Sequence, residues 1–167
     1  PYPKLELGPD LFFLEGGTLK IKPQFIWGNN LTYLWSPGTG LDSIDIRTPS
    51  ASPLVDTRYK LVLTGLGGCA VSDSLMVTVL KAPVIPNTFS PNNDGINDTW
   101  RIQHLESYPG ALVQVYDRYG KQVFTSIGYG RDWDGKFLGT PLPIGTYYYI
   151  VDPKNGRKLI SGSITIL

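Results

Sequence analysis

Residues 85–102 read IPNTFSPNNDGINDTWRI, and neither a regular helix nor a central strand can run through them. Pro83 and Pro86 bring fixed φ angles and no backbone N–H, which excludes both elements at that point. The nine residues that follow, SPNNDGIND, combine Asn, Asp, Gly and Pro, each a turn former for its own reason. Beyond them Asp98-Thr99-Trp100-Arg101-Ile102 turns strand-like, and a strand is predicted to begin over 100–102. So polar a segment between two apolar β regions marks a boundary. It divides the chain into residues 1–81 and 82–167.

Both parts read as β structure. In the first, Leu19 and Ile21 alternate with Lys20 and Lys22, and Tyr33 and Trp35 share a face before SPGTG ends the run. Tyr59, Leu61 and Leu63 alternate with Lys60, Val62 and Thr64, and over 71–79 Val71, Leu75, Val77 and Val79 fall on one side. The opening predicts a strand, a Gly-Pro-Asp turn, and a second strand after Gly16-Gly17. About six short strands separated by turns suggest an immunoglobulin-type sandwich.

In the second part strands are predicted at 111–116, 121–125, 146–151 and 158–167. DRYG joins the first two, with Gly120 supplying the positive φ a short hairpin loop needs. The closing strand sets Ile160, Ile164 and Ile166 on one face, inside the sheet rather than trailing from it. Nineteen Gly and fourteen Pro without a period, and no capped amphipathic stretch, complete an all-β expectation of two tandem Ig-like β-sandwich domains.

Lys plus Arg number 15 against 14 Asp plus Glu, which leaves no electrostatic footprint for nucleic acid. The longest apolar runs are far shorter than a bilayer-spanning helix. The chain opens at Pro1 without a signal-peptide pattern and reads as a piece of a longer protein. Its one cysteine, Cys69, excludes an intrachain disulfide and is expected to be a small buried hydrophobe.

Little in the chain points to chemistry. Asp132 and Asp134 flank Trp133, but residues two apart on a strand lack the cleft geometry of a glycosidase pair; Trp133 is expected at the core edge and Asp134-Gly135 in a turn. His104 has no nucleophile or acid in a catalytic setting. The chain is read as non-enzymatic. Two readings of SPNNDGIND stay open. In the first, Asn92, Asp94, the Ile96 carbonyl and Asp98 hold a calcium ion, with Gly95 at the sixth position of the loop; Ser90 and Arg101 then stand at the first and twelfth positions, where strong ligands belong. In the second, the Asn and Asp side chains satisfy the loop's own N–H groups. Tyr147 and Tyr149 share one strand face and Tyr148 the other, so whichever set meets solvent is a contact surface. Trp27, Trp133 and the tyrosines also raise an alternative, a carbohydrate-binding module of a secreted polysaccharide-degrading enzyme.

Four blocks in order, PNTFSPNNDGINDTW, VYDRYG, WDG and IGTYYY, resemble the gliding-motility-associated C-terminal domain of Bacteroidetes surface proteins. The resemblance covers Pro86 to Leu167. It implies a type IX secretion sorting signal on a secreted, outer-membrane-associated surface adhesin, with no cofactor. The implied partners are the translocon and its carrier proteins and a PorP-like outer-membrane protein, with surface glycans bound by the passenger. The expected recognition residues are Asn92, Asp94, Gly95, Asn97, Asp98, Asp117, Arg118, Gly120, Trp133, Asp134, Tyr147 and Tyr149. LGPD, YLWSPGTGL and GCAVSDSLMVTV in the first part resemble PKD-like or Ig-like repeats of the same proteins. In that family a second cysteine pairs with the one near the last strand, and here Leu14 stands at its expected place.

Overall fold

The computed structural model describes residues 2–167, which divide between Leu80 and Lys81 into two compact units. Each is a β-sandwich of Ig-like type. Apart from one turn of 3-10 helix at Leu105–Ser107, the described residues carry no helix, and none is long and apolar enough to cross a membrane.

The first unit holds β1 (Lys4–Glu6), β2 (Leu11–Leu14), β3 (Leu19–Lys20), β4 (Phe25–Trp27), β5 (Thr32–Ser36), β6 (Ser50–Ala51), β7 (Thr57–Thr64) and β8 (Ala70–Leu80). One sheet runs β2-β8-β7-β5; the short pairs β1-β4 and β3-β6 stand apart from it. Tyr59, Leu61 and Leu63 are fully buried, as their alternation predicts, and Trp35, Leu75 and Val77 share the core cluster with Tyr59 and Leu61. The buried polar tips find acceptors: Trp35 Nε1 donates to the Ile46 carbonyl at 2.9 Å and the Tyr59 hydroxyl to that of Thr39 at 2.7 Å. Carboxylates complete strand amides that lack a neighbour, Asp56 accepting from Val79 N and Asp10 from Met76 N, both at 2.8 Å.

Three expectations for this unit need correction. It has eight strands rather than about six: LFFL between the Gly-Pro-Asp turn and Gly16-Gly17 forms β2, parallel to the end of β8, and the short β4 and β6 add to the expected set. Cys69 is half-buried in the turn before β8 and not a core residue. Leu14 lies beside Leu80, at the other end of β8 from Ala70, so a cysteine at position 14 would lie about 30 Å from Cys69 at strand rise, beyond any disulfide.

The second unit holds β9 (Thr88–Phe89), β10 (Leu112–Tyr116), β11 (Gln122–Ile127), β12 (Lys136–Phe137), β13 (Thr140–Pro141), β14 (Gly145–Asp152) and β15 (Ile160–Ile166). Its main sheet runs β11-β10-β14-β15-β9, with β9 parallel to β15 and the other pairs antiparallel. β15 thus lies between two strands, and Ile164 and Ile166 reach the core. No continuous strand begins at Trp100. That residue and Gln103 make isolated bridges to Trp133 and Val84, because the partners offer single residues rather than a strand. The segment after Gly130 is not a plain loop either: β12 and β13 form a small hairpin in it.

Aromatic rings fill this core. Trp133 sits 5.4 Å from Phe89, 5.7 Å from Phe124, 6.1 Å from Tyr147 and 6.2 Å from Trp100 between ring centroids, in tilted and edge-on arrangements that suit ring quadrupoles. Tyr149 covers Gly162 across the β14–β15 pair and packs on Trp100 at 5.2 Å. A Cβ at position 162 would meet the Tyr149 hydroxyl at 2.5 Å, which accounts for a glycine in mid-strand.

Candidate functional site

The polar blocks of the second unit share one device, an aspartate that accepts hydrogen bonds from the amides of its own turn. In the 90–98 loop the two carboxylate oxygens of Asp98 accept from Asn93 N at 2.6 Å and Gly95 N at 2.8 Å. Asp94 accepts from Ile96 N at 2.8 Å and from the Asn92 side-chain amide at 2.9 Å, while Asn92 Oδ1 accepts from Asp94 N at 3.0 Å. Ser90 N donates to the Asn97 carbonyl at 2.8 Å and closes the loop. Asn93, Gly95 and Asn97 all have φ between 53° and 86°, the left-handed region that Asn and Gly tolerate best. The string of Asn, Asp and Gly is therefore what this backbone path requires.

The hairpin at 117–121 repeats the device. Asp117 Oδ1 accepts from Tyr119 N at 2.8 Å and Lys121 N at 3.0 Å, and Gly120 turns the chain at φ 82°. Arg118 is exposed, its guanidinium 5.0 Å from the centre of the Tyr119 ring. Asp134 accepts from Lys136 N at 3.2 Å and pairs with the Lys136 ammonium at 3.5 Å. At the opposite end of β14, a bond from Lys154 holds the Asp152 carboxyl below its ordinary range, and the Lys154 amide helps.

Sheet register gathers blocks that lie far apart in sequence. Phe89, Tyr116, Gly145 and Ile166 occupy the same end of the main sheet, and the 90–98 loop and the 117–121 hairpin extend from it. Gly135 abuts Phe89 and Pro91 so closely that a Cβ there would sit 3.2 Å from the Phe89 ring. A cleft of about 210 Å³ opens at this end between Asp117, Arg118, Tyr119, Ile144 and Tyr147. Tyr119 and Ile144 project beside it and Ile96 from the 90–98 loop, each more than two-thirds exposed. Sequence reasoning missed these three apolar tips. The signal was present only for Tyr119, inside DRYG.

Two of the expected recognition residues are not surface groups. Trp133 is 2% exposed and Tyr147 6%, held in the core by the ring contacts above and by bonds from Trp133 Nε1 to the Lys136 carbonyl and from Tyr147 to that of Pro143. Tyr149 is half-buried, and Tyr148 is the exposed member of the run. Trp133 is covered and offers no face for stacking on a sugar.

Tyr129 is the most constrained polar group at this site. Its buried hydroxyl donates to the Trp100 carbonyl and accepts from Trp133 N at 3.0 Å, tying two distant segments through one oxygen. Burial pushes its phenol well above the ordinary range, and the Asp132 charge adds to that, against the opposing pull of the Trp133 amide.

Among the described residues no group of three or more His, Cys, Asp or Glu side chains is placed to hold a metal ion. Both carboxylates of the 90–98 loop already accept amide hydrogen bonds. We therefore expect Asp98→Ala to cost about 1–2 kcal/mol through two unpaired loop amides. Dialysis against EDTA should leave the melting temperature of the wild-type chain unmoved. A cation-dependent shift in a calcium titration followed by calorimetry would show that the loop does hold a metal.

The fold and its site define the class: a tandem Ig-like β-sandwich whose second unit carries self-capped turns. Residues 84–166 match the family model described as the CHU_C type IX secretion signal domain, and the second unit belongs to that family. No curated protein matches the chain. Solved structures share the fold. The tandem IG1+IG2 domains of DIP-gamma align with TM-score 0.51 and 11% identity over 99% of this chain and 97% of that one. An I-band fragment of titin aligns with TM-score 0.56 and 13% identity over 98% of this chain and 64% of that one. The N-terminal eight Ig domains of the Down syndrome cell adhesion molecule align with TM-score 0.52 and 13% identity over 98% of this chain and 27% of the longer one. The second unit is a secretion signal domain for type IX export.

Proposed function

We propose that the second unit is the folded address by which the type IX translocon and its carrier proteins, among them a PorP-like outer-membrane protein, take up a cell-surface adhesin, one used in gliding. The family match over residues 84–166 carries this reading. The 90–98 loop and the hairpin with Asp117 and Arg118 leave the same end of the sheet, at its opposite edges, and that supports it, because both face outward beyond the strands. Their aspartates fix the turns, and the apolar tips beside them supply contact area. The first unit serves as a PKD-like or Ig-like spacer, and neither unit performs catalysis. The exported protein stays associated with the outer membrane.

A reporter decides it. The 167-residue chain, fused behind a periplasm-directed fluorescent protein and co-expressed with a cognate PorP-like partner in a type IX-competent host, should carry the reporter to the cell surface or medium. Residues 1–80 alone should leave it in the periplasm. Periplasmic retention of the full fusion would refute the proposal.

One observation favours a second, glycan-binding role for the first unit. Phe25 and Trp27 lie on one face of β4, each 47% exposed, opposite Glu6 and Lys4 of β1. Two rings at strand spacing with polar neighbours suit stacking on sugar rings. Tryptophan fluorescence that does not respond across a glycan panel would remove this role.

A further inference from the structure

We infer that residues 81–86 form a strap fastened along residues 100–108, and that this strap shuts the peptide bond after Lys81 to endoproteases that cut at basic residues. The inference goes beyond the export reading and does not depend on it. Lys81 is the first residue of the second unit. Chain at the boundary of two compact units is where proteases ordinarily cut. Lys81 is also the only basic residue between Lys60 and Arg101, and both it and Ala82 are exposed. By exposure alone, the bond between them is a cleavage site.

The backbone is not free, however. The Lys81 carbonyl accepts from the Tyr108 hydroxyl at 2.8 Å, and Tyr108 is fully buried, so that oxygen faces into the unit. The Ala82 carbonyl lies 3.0 Å from His104 Nδ1; a carbonyl can only accept, so Nδ1 carries the proton. Val84 N donates to the Gln103 carbonyl and Gln103 N to that of Val84, each at 3.0 Å. The Pro86 carbonyl accepts from Trp100 Nε1 at 2.8 Å. Pro83 and Pro86 have no N–H left to satisfy. The strap is thus held by its main chain from end to end.

That is the part of a substrate an endoprotease needs. Such an enzyme takes an extended segment through main-chain hydrogen bonds, in the manner of an added strand. It polarises the scissile carbonyl with hydrogen-bond donors. Water then adds across the C–N bond, leaving a carboxylate on Lys81 and an amine on Ala82. Here a buried phenol already holds the oxygen to be polarised, and an imidazole holds the next carbonyl along. Cleavage has to wait until the strap lifts.

Limited trypsin digestion of the whole chain, read by intact mass, tests this. When lifting is fast relative to cutting, the rate follows the population of the lifted strap. Tyr108→Phe keeps the buried ring and deletes the hydroxyl. His104→Gly removes the imidazole at a φ of 65°, which glycine accepts. The double variant, its fold checked by melting, should be cut after Lys81 about tenfold faster than wild type or more, from the loss of two hydrogen bonds. If it does not fold, His104→Gly alone, with the phenol left in place, should be cut there about threefold faster or more. A folded variant cut after Lys81 no faster than wild type overturns the inference. So does wild-type chain cut after Lys81 as fast as after Lys158, which is exposed in the loop between β14 and β15. Faster cutting at every basic residue of the second unit alike also overturns it, since the bonds would then hold the whole unit rather than the strap.

Discussion

Trp133→Ala should destabilise the second unit by about 3–5 kcal/mol, a large share of the 5–15 kcal/mol by which a domain is ordinarily held folded. The ring is 2% exposed and touches Phe89, Trp100, Phe124 and Tyr147, so its removal leaves a cavity that four large neighbours cannot jointly close. The Lys136 carbonyl also loses its indole donor at 3.1 Å. At roughly 4–8 °C per kcal/mol for a unit of this size, the melting transition should fall by about 15 °C or more. Scanning calorimetry of the whole chain contains its own control. The transition of the first unit, whose core residues all precede Leu80, should keep its temperature. A shift of the second transition by less than a few degrees would mean that Trp133 does not occupy the core.

Tyr129→Phe should cost about 2–4 kcal/mol, although it deletes a single oxygen. The hydroxyl serves two backbone groups, the Trp100 carbonyl and Trp133 N–H, and each is left without its partner in a buried place at about 1–3 kcal/mol. The substitution should also change how stability depends on alkali. Burial raises the Tyr129 phenol above its unfolded value of about 10. A group raised on folding contributes stability in full below the unfolded pKa and loses it as pH climbs toward the folded one. The wild type should therefore weaken progressively above about pH 10. Tyr147 and Tyr149, whose phenols burial also raises, contribute in the same sense. Urea unfolding at pH 9 and pH 11 should show a smaller loss for Tyr129→Phe than for wild type. Equal losses would exclude Tyr129 as a source of the alkaline weakening.

The long strands were legible because each has one buried face. Tyr59, Leu61 and Leu63 advertise β7 by alternation, and DRYG announces its hairpin through one aspartate and one glycine. β2 was hidden because LFFL has no alternation to read. The hairpin of β12 and β13 was hidden because two-residue strands have no period at all. Cys69 looked like core by residue type, but it lies half-buried in the Gly-rich turn between β7 and β8. At the candidate site the turn chemistry of 90–98 was readable residue by residue, since Asn and Asp cap their own neighbours. The burial of Trp133 within the aromatic core depends on a bridge to Trp100 thirty-three residues earlier. That bridge leaves no mark on local sequence.

The position of β15 bears on timing. Strands that are adjacent in the sheet are formed by segments separated in synthesis, and Thr88–Phe89 pair with Thr165–Ile166. A polypeptide that has emerged from the ribosome, or passed a membrane, only as far as Lys158 can build the β10–β11 hairpin but cannot close the sheet. Interrupted products would therefore lack the finished label, and an apparatus that reads the folded form would reject them without any separate inspection step.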